Sequence, residues 1–188
     1  AVADLVKAGY VRSVGITEID AETLRRAHAV HPISLVEVRY SLLDRDIEEG
    51  ILPTARELGI DVVTFANLFH GVIGGSNPAG KVAGLSQRMP PQAAEKLKQA
   101  VSRLELLKEM ADEKNVSVSQ LAIAWVLAQG DDILALVGSR TVHDTVKAID
   151  IHLSPEDLQR IEQMIPKEYA SNSAMLPINL DENGLFKF

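Results

Sequence analysis

An α/β protein with a parallel sheet is the fold this sequence predicts, and three observations predict it. Short β-branched or apolar runs at residues 11–16, 34–38, 60–66 and 133–137 alternate with segments of helical periodicity. The run at 60–66 is apolar almost throughout, the signature of a strand buried on both faces of a parallel sheet. Finally, 188 residues are too few for a complete eightfold βα barrel, because the connection between the third and fourth runs alone spans residues 67–132. Two architectures remain open on these grounds: a small open sheet, or part of a barrel whose other strands come from elsewhere.

Residues 1–8 read as the back of a helix, with Val2, Leu5 and Val6 on one face and Lys7-Ala8-Gly9 as its stop. No capping residue precedes it, so the expectation is that an upstream part of the architecture is missing. After the first strand, Asp20 caps a helix with Leu24, Ala27 and Val30 at helical spacing. The second strand leads through a polar loop to a helix at 47–58, stopped by Gly59. From Asn67 to Pro91 a glycine-rich stretch exceeds ordinary connection length and reads as a lid, a binding loop or a disordered segment. Helices are expected at 92–114, from Ser117 or Ser119 to Gln129, and near 142–149. Ser154-Pro155-Glu156-Asp157 starts another, with a cap, a first-turn proline and acids at the positive dipole end. Residues 167–188 lack periodicity and read as an irregular surface tail, leaving 1–166 as one domain.

Composition narrows the function. The chain is 46% apolar, has no cysteine and carries a formal charge of −7 from 19 basic and 26 acidic residues, which excludes disorder and a disulfide scaffold. It offers no basic footprint for nucleic acid. No apolar stretch approaches the ~18 residues of a membrane span, and there is no export signal, so a cytoplasmic protein is expected.

Several local patterns have competing readings. Gly75 to Val82 comes within one residue of a phosphate-binding loop, but Val82 has no hydroxyl, the strand ends well before it, and the run VAGLSQRMPP does not read as a helix start. The segment reads as a flexible loop. His28 and His31 are too few for a metal site, and His70, His143 and His152 have no companions at ligand spacing. Trp125 lies on an apolar helix face and reads as core. Asp44, Asp46, Glu48 and Glu49 read as a solvated loop and first helical turn. Tyr40 ends a strand with no sequence neighbour to lower its pKa for proton transfer. Tyr10 precedes its strand, facing the wrong end of a barrel, and Tyr169 falls in the tail. What remains is the set of strand C-terminal ends, where parallel α/β proteins place their sites: Thr17-Glu18, Arg39-Tyr40, residues 65–68 and Gly138-Ser139-Arg140. The last offers close backbone approach, a hydroxyl and a guanidinium fork suited to phosphate, or else an ordinary βα turn.

In order, the segments LVKAGYVRSVGITE, AETLRRAHAVHPISLVEVRYSLLDRDIEEGILPTARELGIDVVTFANL, VSVSQLAIAWVLAQGDDILALVGSR and LSPEDLQRIEQMIP resemble the C-terminal half of an aldo-keto reductase. The resemblance implies a (β/α)8 TIM barrel whose fifth to eighth strands are the four found here, and NADP(H)-dependent interconversion of carbonyls and alcohols. It implies no catalytic residue in this chain, since the family's Asp, Tyr, Lys and His sit on the first four strands. The cofactor half is implied instead. Thr17 and Glu18 stand at the Ser-Asn pair that holds the nicotinamide carboxamide, and Glu37 at the Gln of the next strand; a carboxylate can accept from the carboxamide NH₂ but cannot donate to its carbonyl. Phe65 matches the aromatic that stacks on nicotinamide. Ala66, Leu68 and His70 fall in the motif after it, with His70 in place of the arginine that meets the pyrophosphate. Gly138, Ser139 and Arg140 match the element that takes the 2′-phosphate, favouring NADP over NAD. The family's Glu-x-x-Asn adenine contact has no counterpart between His143 and Ala148. Two functions stand as expectations: an oxidoreductase represented by its cofactor half, or a non-catalytic half-barrel that binds a nucleotide or a protein. Because a half-barrel has two bare edge strands, either reading expects the missing half or self-association to cover them.

Overall fold

Four parallel strands, β1 (Gly15–Thr17), β2 (Leu35–Arg39), β3 (Asp61–Phe65) and β4 (Ile133–Ala135), lie side by side in chain order. The structure, a computed structural model, describes residues 1–87, 89–139 and 141–170. Register aligns Ile16 with Val36, Val36 with Val62, and Val62 with Ile133. These side chains alternate with a second row, Thr17, Glu37, Val63 and Leu134. The two rows have different fates. Val36, Val38, Val62, Thr64 and Ile133 are buried, whereas Leu35, Glu37, Arg39, Val63 and Phe65 are half-buried and Leu134 is 53% exposed.

Strands in sequential order with right-handed crossovers place every connecting helix on one side of a sheet, and the alternation of burial shows that side directly. The expectation that β3 is buried on both faces is therefore corrected. The covered row is apolar for the reason predicted, but Val63 and Phe65 face the other way and remain partly accessible.

The helical layer forms from recognisable signals. Helix α1 (Val2–Lys7) ends before Gly9, whose φ of +79° is the left-handed stop expected, but it has no buried residue. Helix α2 (Ala21–Val30) is capped by Asp20, which accepts from the Thr23 amide at 2.7 Å, and it buries Leu24 completely. Val30, expected on the inner face, is 85% exposed. The predicted helix at 47–58 divides at Gly50 into a 3₁₀ turn (Asp46–Glu49) and α3 (Ile51–Leu58), which Gly59 ends at φ +66°. Arg25 on α2 grips Glu57 on α3 through two hydrogen bonds of 2.8 and 2.6 Å. From α3, Arg56 reaches Asp132 and the Gln129 carbonyl ahead of β4.

The expected loop at 67–91 is also corrected. It holds a 3₁₀ turn (Phe69–Gly71) and a helix, α4 (Pro78–Ser86). The start signal is Asn77, whose side chain accepts from the Gly80 amide at 2.9 Å ahead of Pro78 in the first turn. The glycines at 75 and 80 obscured it. Helices α5 (Pro91–Ser102), α6 (Leu104–Glu113) and α7 (Val118–Leu127) come next, the last opened by a reciprocal Ser117–Gln120 capping box and carrying buried Trp125. After β4 come α8 (Val142–Val146) and α9 (Pro155–Met164), whose start at Ser154 forms the capping box that its sequence announces. Residues 167–170 are not free: a 3₁₀ turn places the Tyr169 ring under the Arg103 guanidinium at 4.4 Å. Residues 171–188, the rest of the expected tail, lie outside the described residues. Among the described residues no helix is long and apolar enough to cross a membrane.

One adjacent pair tests the one-sided sheet. Ile133→Ala should destabilise the chain by about 2–5 kcal/mol in urea unfolding, because Ile133 is buried under the helices. Leu134→Ala should cost within about 0.5 kcal/mol. An equal loss at the two positions would mean that the second face is covered in solution.

Candidate functional site at the strand C-terminal ends

The residues that close the strands converge at one end of the sheet. Glu18, the residue after β1, adopts φ +49°, which carries its chain over the end of β2, and its amide donates to the Glu37 carbonyl at 3.0 Å. Its carboxylate then accepts from the Arg39 amide at 3.3 Å and pairs with Arg39 Nη2 at 3.1 Å. Thr17 donates its hydroxyl to the Glu37 carbonyl at 3.1 Å, tying the same two strands together. In the next register position Arg39 lies beside Phe65. Glu18, Glu37, Arg39 and Phe65 thus share the mouth of the open face.

Beyond Phe65 the chain turns through left-handed backbone at Ala66 (φ +54°), Phe69 (+44°) and His70 (+54°). Such conformations in residues with a Cβ cost roughly 1–3 kcal/mol each and concentrate at functional sites. Asn67, 2% exposed, holds the turn by donating to the Tyr40 carbonyl at 3.0 Å and to the Thr64 hydroxyl at 2.9 Å. His70 is exposed, yet partial desolvation, aided by the Arg39 and Lys81 cations, holds its pKa below the ordinary histidine value.

Next to this mouth is a cleft of about 660 Å³, with Leu68, Gly71, Lys81, Ser139, Thr145 and Lys147 in its walls. Lys81, from α4, donates to the Gly71 carbonyl at 3.0 Å. Gly71 has φ +74°, a left-handed conformation that favours glycine, and the end of the Lys81 side chain lies where a Cβ would stand. Gly138 is exposed with open space around its Cα, and the Ser139 hydroxyl accepts from the Thr141 amide at 3.1 Å and from the Thr145 hydroxyl. Arg140, the third residue of that expected element, lies outside the described residues. The site residues expected from sequence therefore fall in two adjoining groups: Thr17, Glu18, Glu37, Phe65, Ala66 and His70 at the mouth, and Leu68, Gly138 and Ser139 along the cleft. Sequence reasoning missed Arg39 as a partner of Glu18, and Lys81 and Lys147 as the cations of the cleft. Lys81 stood in plain view in the near-miss phosphate motif.

Tyr40 has a different role from a proton donor. It is 1% exposed, packs against Trp125 with ring centroids 5.3 Å apart and planes tilted by 44°, and donates its hydroxyl to Glu48 at 2.8 Å. Burial and the Glu48 charge drive its pKa far up. Asp44 and Glu48 are corrected with it: Asp44 is 5% exposed, and Glu48 belongs to a network with Arg45, which also pairs with Glu162 and lies over Trp125. The partner of Tyr40 stands eight residues on, across a turn that brings it back.

The chain spans about half the length of the relatives it matches. The model of the aldo/keto reductase family matches residues 1–166. The chain belongs to that family. A curated soybean (Glycine max) protein described as "Probable aldo-keto reductase 1" is 36% identical over 167 residues, which cover 86% of this chain and 48% of that protein. A solved thermostable aldo-keto reductase, crystallised with the inhibitor epalrestat, superposes with a TM-score of 0.63 at 21% identity, over 87% of this chain and 52% of the other. At that identity the likeness speaks for the fold, a set of parallel βα units of the TIM-barrel kind.

The Glu48 network generates a pH prediction. Burial alone would raise the Glu48 pKa, but hydrogen bonds from Arg45 and Tyr40 and the Arg45 and Lys167 charges outweigh it and hold the carboxyl below the ordinary glutamate range. The unfolded state then binds more protons as pH falls into that range, so the stabilisation is present above it and is lost on acidification. Glu48→Gln should lower stability at neutral pH and flatten the acid limb of the stability curve in urea titrations. An unchanged acid limb would assign that limb to other carboxyls.

Proposed function

We propose that residues 1–166 are the C-terminal half of a (β/α)8 barrel of an aldo-keto reductase-type oxidoreductase, and that the strand ends hold NADP(H). The observation that carries this reading is the adjacency of the two groups: an aromatic ring and a polar mouth on the open face, beside a cleft with two lysines and a hydroxyl. The residues fit a dinucleotide phosphate in chemistry. Phe65 offers a ring face. Lys81, Lys147 and Ser139 offer cations and a hydroxyl for phosphate oxygens, with Lys147 offset by Asp144 at 3.3 Å, and the Gly71 turn lets backbone approach closely. Arg39 keeps a buried Nε without a hydrogen-bond partner. When bound, the nicotinamide would supply or accept the hydride exchanged with a carbonyl carbon. This chain's own part is to hold and orient that cofactor.

The proton-transfer residues of the family are not among the segments that match here, so turnover of small carbonyl substrates needs the other four βα units. The matches to about half of each relative support that division. The protein is proposed to work in the cytoplasm, with residues 167–188 as its C-terminal tail. A second reading, a nucleotide-binding or protein-binding half-barrel without turnover, is favoured by one feature: the apolar row of Val63, Leu134 and Leu136 left on the open face.

Two measurements test this. In fluorescence titration the chain should bind NADPH more tightly than NADH, and the difference should shrink in Ser139→Ala; absence of binding would leave only the partner-binding reading. In sedimentation, the edge strands β1 and β4 should be covered by a second chain or by the other barrel half, whereas a monodisperse 20.4 kDa monomer would contradict the edge argument.

A further inference from the structure

The turn after β3 sets a histidine among cations. Phe69, His70 and Gly71 follow one another at φ +44°, +54° and +74°, a left-handed run that the chirality of the chain disfavours wherever a Cβ is present. Lys81 of α4 donates its ammonium to the carbonyl of Gly71, the residue next to His70, at 3.0 Å. Partial desolvation disfavours the protonated imidazole, and the Arg39 and Lys81 charges act in the same direction, with no carboxylate opposing them there.

The two cations are not equivalent. Arg39, at the end of β2, pairs with Glu18 at 3.1 Å, which offsets its charge at a distance. Lys81 pairs with no carboxylate among the described residues, since its partner is a backbone carbonyl. It stands in the wall of the 660 Å³ cleft together with Leu68 and Gly71, from the same turn as His70. An anion entering that cleft therefore meets Lys81 as an unbalanced positive charge. A phosphate seated on it turns that charge neutral or negative, and the influence on the imidazole changes sign.

We propose that His70 couples cofactor binding to proton uptake: a cofactor phosphate seated on Lys81 cancels the charge that opposes the imidazolium, and the ring takes a proton from solvent as the cofactor binds. The imidazolium attracts the phosphate in return. This coupling rests on the cofactor-binding reading above and makes the cleft responsive to pH through a side chain that need not touch the ligand. The sign follows from linkage: a group that titrates at higher pH in the complex than in the free chain takes up a proton on binding. Affinity then rises as pH falls through the value in the complex, and levels off below the value in the free chain. A lysine at position 70 would attract phosphate without that dependence.

The test is calorimetry with NADP⁺ on the 188-residue chain and on His70→Asn and His70→Lys, at about pH 8 and about pH 5, on either side of the histidine range. Asparagine tolerates left-handed backbone and does not titrate. On acidification the wild-type affinity should gain roughly tenfold more than that of His70→Asn, the scale of one charged hydrogen bond. Titration of the ligand's own phosphate is common to both proteins and cancels. His70→Lys should bind more tightly than His70→Asn by a similar factor at both pH values. In the isotopically labelled wild type, which needs no variant to fold, the His70 ring resonances should titrate at higher pH when the chain is saturated with NADP⁺ than when it is free. An unmoved His70 titration, or the same pH dependence in wild type and His70→Asn, would overturn the coupling and leave cofactor binding standing. No binding of NADP⁺ at either pH would overturn the cofactor reading itself.

Discussion

A parallel sheet whose strands follow chain order carries all its helices on one side, and its other side must find a different cover. In this chain that geometry governs everything else. It divides every strand into an apolar row locked under the helices and a mixed row facing away, and it sends the strand C-terminal ends, with their irregular connections, to one common edge. The helical side is secured by long-range pairs such as Arg25 with Glu57, Arg56 with Asp132 and Lys114 with Asp157. The other side carries Glu37, Arg39, Phe65 and Val63 in a setting neither fully dry nor fully wet.

Chemistry collects where the covering layer stops. At the C-terminal ends the chain turns sharply, and it does so through left-handed backbone at Glu18, Ala66, Phe69 and His70 as well as at Gly71. The surroundings hold these conformations: the Asn67 hydrogen bonds fix the turn after β3, and the Glu18–Arg39 contact fixes the one after β1. Next along the chain, the Tyr40–Glu48–Arg45 network ties the end of β2 to the turn that follows it.

Much of this was legible in the sequence. The alternation of runs predicted the strands and most helices, and Asp20, Ser117 and Ser154 marked helix starts because capping depends on residues a few positions apart. The strand ends, including Thr17, Glu18, Phe65 and Ser139, could be named as a site because parallel sheets place sites there. What escaped was long-range or masked by glycine. Arg39 meets Glu18 only through strand pairing, 21 residues away in sequence. Helix α4 was hidden because Gly80 and Gly84 lower helix propensity, whereas the Asn77 cap and Pro78 were enough to start it. Glu48 was read as solvated because its partners, the Tyr40 hydroxyl and the Arg45 guanidinium that also reaches Glu162, are brought onto it by the fold.

The central claim is that one end of an uncovered sheet face forms a cofactor site. Its most direct test is the footprint of NADPH on the backbone amides of the isotopically labelled chain. Perturbations confined to the strand C-terminal ends and the adjoining cleft, at Glu18, Arg39, Ala66, His70, Gly71 and Ser139, are the predicted result. Perturbations centred on the opposite ends of the strands, at Leu35, Asp61 and Ile133, would contradict it.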